Sequence, residues 1–275
     1  MCGRYASARK RMELLEEFGV QRDRVETPLE PDYNVAPTKP VYAVLTRSRD
    51  AKSGTPAAGS DPVRQLRVLR WGLVPSWAKD PSIGSRMINA RAETVAEKPS
   101  FRRAFARRRC LLPADGFYEW QQVEENGKKR KQPYYIYRTD GRALAFAGLY
   151  ELWRDPSVPE DHEGSWLWTT TIITTQATDE VGRIHDRMPM VIAPQDWADW
   201  LDPDQGDAAG LHRLLTPAAA IGLASHPVSS AVNNVRNNGP ELTAAALAVP
   251  EPDSDPGKPE PPPGGVPADT GGTLF

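Results

Sequence analysis

Tyr118-Glu119-Trp120-Gln121-Gln122-Val123, then Asn126-Gly127, then Tyr134-Tyr135-Ile136-Tyr137 is the stretch that decides the fold class. Aromatic and β-branched side chains suit a pleated, half-buried surface. Asn-Gly supplies the two positive-φ positions that a tight hairpin turn needs. The segment therefore reads as an antiparallel hairpin, with Lys128-Lys129-Arg130-Lys131 in its loop. Working outward, strand-like runs recur at Val41–Thr46, Leu66–Trp71, Cys110–Pro113, Ala143–Leu149, Trp166–Thr174 and Met190–Ile192. Helical patterns are short: Met12, Leu14, Leu15 and Phe18 after a Ser7 cap and before Gly19, then Ser100–Arg109, Ala177–Ile184, Pro194–Leu201 and Ala208–Leu215. Many strands with few helical crossovers give an α+β class, with a mainly antiparallel sheet distorted toward a barrel and short helices flanking it.

At 275 residues, with 39% hydrophobic side chains and eight Trp, the chain suits one sizeable core. Residues 1–245 read as one compact domain. Residues 246–275 turn to Pro, Gly, Asp and Glu, a composition that buries no core and stays disordered. The Ser/Gly/Ala/Pro-rich segment from Arg49 to Pro62 reads as a surface loop. Six acids and one base fall in residues 241–275, so the body carries 33 Lys and Arg against 30 Asp and Glu. That mild positive balance permits a nucleic-acid partner without requiring one. No signal-like segment opens the chain and no long apolar run crosses it, so the reading is cytoplasmic, nucleoid-associated when bound to DNA, with no membrane partner; a monomer is expected, although the sequence does not itself give the oligomeric state. Two Cys make no disulfide framework, and the four scattered His show no zinc spacing; no metal and no cofactor are expected.

Cys2 follows the initiator Met directly. Trimming of Met1 leaves a 1,2-aminothiol, whose amine and thiol have reference pKa values of roughly 7.7–8.0 and 8.5. Such a terminus attacks a carbonyl twice, closing a thiazolidine ring. Alternatively, the amine serves as base for its own thiol, as in N-terminal-nucleophile hydrolases. The plainer reading is a small residue in a frayed terminus.

Several segments combine aromatic, small and polar residues beyond what core packing asks: Tyr33-Asn34-Val35-Ala36-Pro37-Thr38, Arg70-Trp71-Gly72-Leu73-Val74-Pro75-Ser76-Trp77, Asn89-Ala90-Arg91-Ala92-Glu93-Thr94, Asp115-Gly116-Phe117-Tyr118-Glu119-Trp120, His185-Asp186-Arg187-Met188-Pro189, and His226-Pro227 through Asn233-Asn234-Val235-Arg236-Asn237. With Met-Cys-Gly-Arg at the start, they resemble the SOS-response-associated peptidase family of abasic-site processing proteins, over roughly residues 1–245. The resemblance implies a distorted β-barrel domain that binds single-stranded DNA. Its terminal Cys reacts with the open-chain aldehyde of an abasic site to give a thiazolidine DNA–protein crosslink that shields the lesion. The matching positions are Cys2 as nucleophile, Asn89, Glu119 and His185. Met1 removal in cis and a weak lyase side reaction belong to the same expectation.

Chemistry suggests a role for each. Glu119 between Tyr118 and Trp120 should have a raised pKa and move protons near pH 7; the plainer alternative is an exposed Glu pairing with Lys128–Lys131. His185 can protonate the sugar ring oxygen, or simply end a helix. Asn89 can orient the amine or a substrate oxygen without adding charge, or sit in a turn. For DNA, Arg4, Arg91 and Arg187 suit phosphates, Trp77 suits stacking, and Trp71 is a weaker candidate with a core alternative. Asn34 and Thr174 complete the expected DNA-binding set, and the Arg-rich stretch Arg102–Arg109 extends the basic face or is a solvated helix surface. The final Leu274-Phe275 loosely resembles the Leu-Phe ends that bind the bacterial sliding clamp, which makes the clamp a candidate partner. Two other readings stand beside this one: a glutamine amidotransferase or other amidohydrolase, which also begins Met-Cys-Gly, and a non-enzymatic single-stranded-DNA reader.

Overall fold

The structure is a computed structural model that describes residues 2–48, 62–125, 127–159, 162–215 and 222–246. Met1, Asn126, nearly all of the 49–62 loop and the expected tail with Leu274 and Phe275 lie outside those residues. In chain order the first strands are β1 (Tyr5–Ser7), β2 (Arg22–Asp23), β3 (Asp32–Val35), β4 (Pro40–Ser48), β5 (Pro62–Trp71) and β6 (Asn89–Arg91). They are followed by β7 (Arg109–Ala114), β8 (Gly116–Glu125), β9 (Lys128–Arg138), β10 (Leu144–Arg154), β11 (Trp166–Gln176), β12 (Arg187–Pro189) and β13 (Leu223–Pro227). The helices are short: α1 (Arg11–Glu17), α2 (Arg102–Arg107), α3 (Asp179–Gly182), α4 (Trp197–Leu201) and α5 (Ala208–Leu214). None of the described helices is long and apolar enough to cross a membrane.

Five strands close on themselves. β4 pairs antiparallel with β5 and with β7, β7 with β10, and β10 with β11. β11 then meets β5 in parallel at Thr169↔Arg70 and Thr170↔Trp71, which completes the ring. Closure explains the continuous apolar runs in these strands, because both faces are buried. On β4, Val41, Ala43 and Leu45 enter one core with Leu69, Cys110, Leu112, Phe146 and Ile172, whereas Tyr42 and Val44 enter a second core. That second core holds Phe18, Phe105, Trp197 and Trp200, which α1, α2 and α4 bring against the barrel. Gly148 sits where nothing larger fits: a Cβ there would lie 2.9 Å from both Cys110 Sγ and Leu112 Cδ1. Gly148→Ala is therefore expected to cost about 1–3 kcal/mol by overpacking, read as a lowered urea midpoint; an unchanged midpoint would contradict this packing.

A second sheet runs β13-β9-β8-β1-β3, antiparallel throughout. Its centre is the expected hairpin, β8 with β9, and Gly127 takes the anticipated positive φ of 71°. The basic run differs from expectation. Lys128–Lys131 already belong to β9, and the β8–β9 register runs on to Glu124↔Lys129 and Glu125↔Lys128, so the ladder reaches the turn.

Other boundaries also move. Ser7 ends β1 and does not cap α1, whose N-cap is Lys10. Met190–Ile192 is no strand: Val191 makes an isolated bridge to Phe146, and the paired residues are Arg187–Pro189. Arg109 is buried, with Nε donating to Trp200 O and Nη1 to Phe105 O, so it pins α4 to β7 rather than joining a basic surface. Arg102, Arg103 and Arg107 are exposed on α2.

Candidate active site

β11 and β8 assemble the site. β11 carries β6 on one side (Ile172↔Asn89) and β12 on the other (Gln176↔Arg187), so Asn89 and the His185–Arg187 turn flank one strand. β8 pairs with β1 at Tyr5↔Phe117, and Tyr118 N donates to Arg4 O at 3.0 Å, which lays the amino-terminal residues along Glu119. Gln121 Nε2 donates to Arg183 O at 2.9 Å and ties β8 to the segment leading into His185. Residues far apart in the chain thus meet, Tyr5 with Phe117 and Asn89 with Ile172 through main-chain registers.

Cys2 is fully buried, among the same apolar residues as Tyr5, Trp71 and Ile184. Asn89 Nδ2 donates to Cys2 O at 2.8 Å, fixing the terminus; Asn89 Oδ1 is buried without a protein partner. Glu119 is 2% exposed, which removes the reading of it as a surface partner for the lysine run. His185 Nε2 lies 4.0 Å from Glu119 Oε2. The His185 Nδ1 accepts the Arg187 amide N–H at 3.0 Å in the neutral ring; in the protonated ring it faces Asp186 Oδ1 at 2.9 Å.

The electrostatics follow from burial. Burial, with the Glu119 charge beside it, pushes the Cys2 thiol far above its ordinary value, so at neutral pH it is a thiol and not a thiolate. Burial raises Glu119 to about 7, although the positive chain terminus opposes the shift. Burial, then that same positive terminus, lowers His185 below its ordinary value. At neutral pH the site therefore holds a carboxyl near half-protonation beside a neutral imidazole, a pair suited to passing protons both ways.

The Glu119 shift has a stability consequence. Its folded pKa of about 7 exceeds the reference 4.5, so the folded state holds the proton more tightly between those values. Stability should therefore fall as pH rises from 4.5 to about 7 and level off above. Relative to Glu119→Gln, the wild-type melting temperature is expected to decline across that window. A difference that does not change with pH would contradict the shift.

The expected DNA-binding residues divide. Trp77 is 57% exposed and Arg91 is exposed on β6. Asn34, Trp71 and Thr174 are buried and face the interior, where the DNA-contact expectation had set them at a surface. Asn34 Nδ2 spans three carbonyls, Val232 O at 3.2 Å, Asn234 O at 3.0 Å and Asn237 O at 3.1 Å, and its Oδ1 accepts Arg4 Nη1 at 2.7 Å. Trp71 Nε1 donates to Ile88 O at 2.9 Å and its ring meets Tyr5 edge-on at 5.3 Å, leaving no face for a base. Arg4 is taken up internally, donating also to Val232 O at 2.8 Å. Arg187 forks onto Glu93, with Nη1 2.5 Å from Oε1 and Nη2 3.0 Å from Oε2. Glu93 and Asn233, whose side chain accepts Trp120 Nε1 at 2.7 Å, carry structure that the sequence reading did not assign, although both stand inside the quoted motifs.

Comparison with known proteins agrees with this architecture. "Abasic site processing protein YoqW" of Bacillus subtilis (strain 168) is 40% identical over 88% of this chain and 98% of its own length. "Abasic site processing protein HMCES" of Xenopus tropicalis is 34% identical over 82% of this chain and 69% of its own. A crystal structure of a protein from Bacteroides thetaiotaomicron superposes with a TM-score of 0.70 at 27% identity, covering 90% of this chain and all of that one. The SOS response associated peptidase (SRAP) family matches residues 1–235, and the chain belongs to that family.

Proposed function

We propose that the protein captures abasic sites in single-stranded DNA by covalent attachment to Cys2. The observation that carries this reading is the meeting of Asn89, Glu119 and His185 around buried Cys2. Removal of Met1 frees the Cys2 amine. His185, neutral at rest, takes a proton from the protonated Glu119 beside it and passes it to the sugar ring oxygen, the anomeric hydroxyl gives its own proton to water, and the ring opens to the aldehyde. Glu119 accepts a proton from the amine, whose nitrogen adds to the aldehyde carbon. The carbinolamine takes a proton from Glu119 and loses water, giving an iminium. The Cys2 sulfur then adds to the iminium carbon and the thiol proton returns to the Glu119 carboxylate, closing the thiazolidine. The net change is one C–N and one C–S bond formed and one water released.

A buried, protonated thiol supports this order, because the amine acts first and the thiol only closes the ring. It speaks less for an amidohydrolase, in which the sulfur must lead as thiolate. Asn89 fixes the Cys2 carbonyl and offers its buried Oδ1 to the attacking amine or to a sugar hydroxyl. Exposed Trp77 and Arg91 suit stacking and phosphate contact beside the lesion. The test is a denaturing gel of the protein with single-stranded oligonucleotides, intact or carrying one abasic site. A shifted band with the abasic strand alone is expected. No shift by protein lacking Met1, together with glutamine hydrolysis, would replace the reading with the amidohydrolase one.

A further inference from the structure

Arg187 is held by two partners of different character. Its Nη2 donates to the main-chain oxygen of buried Thr174 at 2.7 Å, and its side chain is only 16% exposed, so the guanidinium is fixed to β11. Its other partner, Glu93, is 50% exposed. The two carboxylate oxygens of Glu93 take both terminal nitrogens of Arg187 in a fork-to-fork pair, the geometry that a phosphate group uses on arginine. Arg91, exposed and opposite Thr174 in the β6–β11 register, adds a second cation at the same edge. The Arg187 main-chain N–H holds His185 Nδ1, so this fork lies two residues from the proposed acid.

We propose that Glu93 is a built-in stand-in for a DNA phosphate, occupying the Arg187 fork in the free protein and yielding it when a strand enters. The proposal rests on the DNA-capture reading above. Arg187 is anchored by the sheet, whereas the half-exposed Glu93 is held by this ion pair, its own main-chain N–H and the nearby Arg91 charge, and a pair with one half-exposed member contributes little net stability. The carboxylate is therefore the replaceable partner. Its effect is on selectivity: every strand must displace Glu93, so undamaged DNA is held weakly, and retention is left to the covalent step. Arg187 also holds the Glu93 carboxyl below its usual range, so the stand-in stays charged at any pH where the site works.

The ion balance makes this testable. When a phosphate replaces Glu93 on Arg187, the DNA releases a cation and the freed carboxylate recruits one, so the exchange adds nothing to the salt dependence. Glu93→Gln keeps the side chain's shape and removes its charge. The experiment is fluorescence anisotropy with an undamaged, labelled oligothymidine over a salt series, for wild type, Glu93→Gln, Arg187→Gln and the double variant. Glu93→Gln is expected to bind roughly three- to ten-fold tighter at low salt, with a log–log salt slope steeper by about 0.7. On the Arg187→Gln background the gain should vanish. Equal affinity and slope for wild type and Glu93→Gln would overturn the proposal. So would a gain that persists without Arg187, which would mean a general effect of removing an acid. Failure of wild type to bind the strand at any salt would overturn the DNA reading itself and this inference with it. Glu93→Ala, which removes the hydrogen bonds as well, should repeat the Gln result, and a thermal melt checks that each variant is folded.

Discussion

A Cys2→Ala protein is expected to lose its heat-stable adduct with abasic single-stranded DNA altogether, and to cleave more of that strand than the wild type does. With Met1 removed from both proteins by an aminopeptidase, which accepts Ala as well as Cys at the next position, the variant keeps a terminal amine at the same place. That amine still forms an imine with the lesion aldehyde. Without sulfur there is no ring closure, and the imine persists long enough to lose the proton on the carbon next to it and expel the phosphate from the following carbon, which breaks the strand. In the wild type the thiol lies within the same residue, and intramolecular attack at such proximity outruns competing steps by large factors. The measurement is a denaturing gel that scores adduct and cleaved strand together after heating. A heat-stable adduct in the variant would remove the thiazolidine from the account. Cys2→Ser should fall between the two, since a hydroxyl closes the ring less readily than a thiol.

Glu119→Gln should slow capture by about 10²–10⁴-fold, the usual contribution of a positioned acid–base group. Gln matches Glu119 in size and sits in the same buried slot on β8, but it neither accepts the amine proton nor returns one to the leaving hydroxyl. The pH profile distinguishes this role from a structural one. With Glu119 held near 7 by burial, the wild-type rate should bend near pH 7, where the carboxyl changes from donor to acceptor. The variant profile should lose that bend. A slow Gln variant that keeps the wild-type profile would assign proton transfer to His185 or to solvent.

The hairpin was legible because Asn126-Gly127 and the alternating aromatic strands around it state their geometry locally. The barrel strands were legible for a different reason: burial on both faces demands continuous apolar runs such as Cys110–Pro113 and Ala143–Leu149. The strands that build the site were not legible. β1, β6 and β12 have three residues each, and they are strands only because β8 or β11 offers them a partner. Parallel pairing of β11 with β5 and β6 leaves no local trace at all, because it joins segments far apart in the chain, Thr169 with Arg70 and Ile172 with Asn89.

The four candidate residues came from a resemblance, and physical reading alone left each with a plainer alternative. The structure removes some of those alternatives by burial: Glu119 is inside, and Asn89 holds the Cys2 carbonyl rather than turning a loop. Within the same motifs, Asn34 and Trp71 looked like DNA contacts yet form internal braces. A polar or aromatic side chain in a Gly/Pro-containing segment has the same sequence signature whether it faces solvent or clamps three carbonyls. Only the fold separates Trp71 from Trp77, six residues away.

The central claim is that Cys2 closes a ring through both its nitrogen and its sulfur. Its most direct test is mass spectrometry of the amino-terminal peptide from the adduct, after treatment with borohydride and iodoacetamide. The account predicts a peptide beginning at Cys2, carrying the sugar remnant less one water, neither reduced by borohydride nor alkylated at sulfur. A sugar remnant on a lysine, or a Cys2 that is reduced or alkylated while linked to DNA, would contradict it.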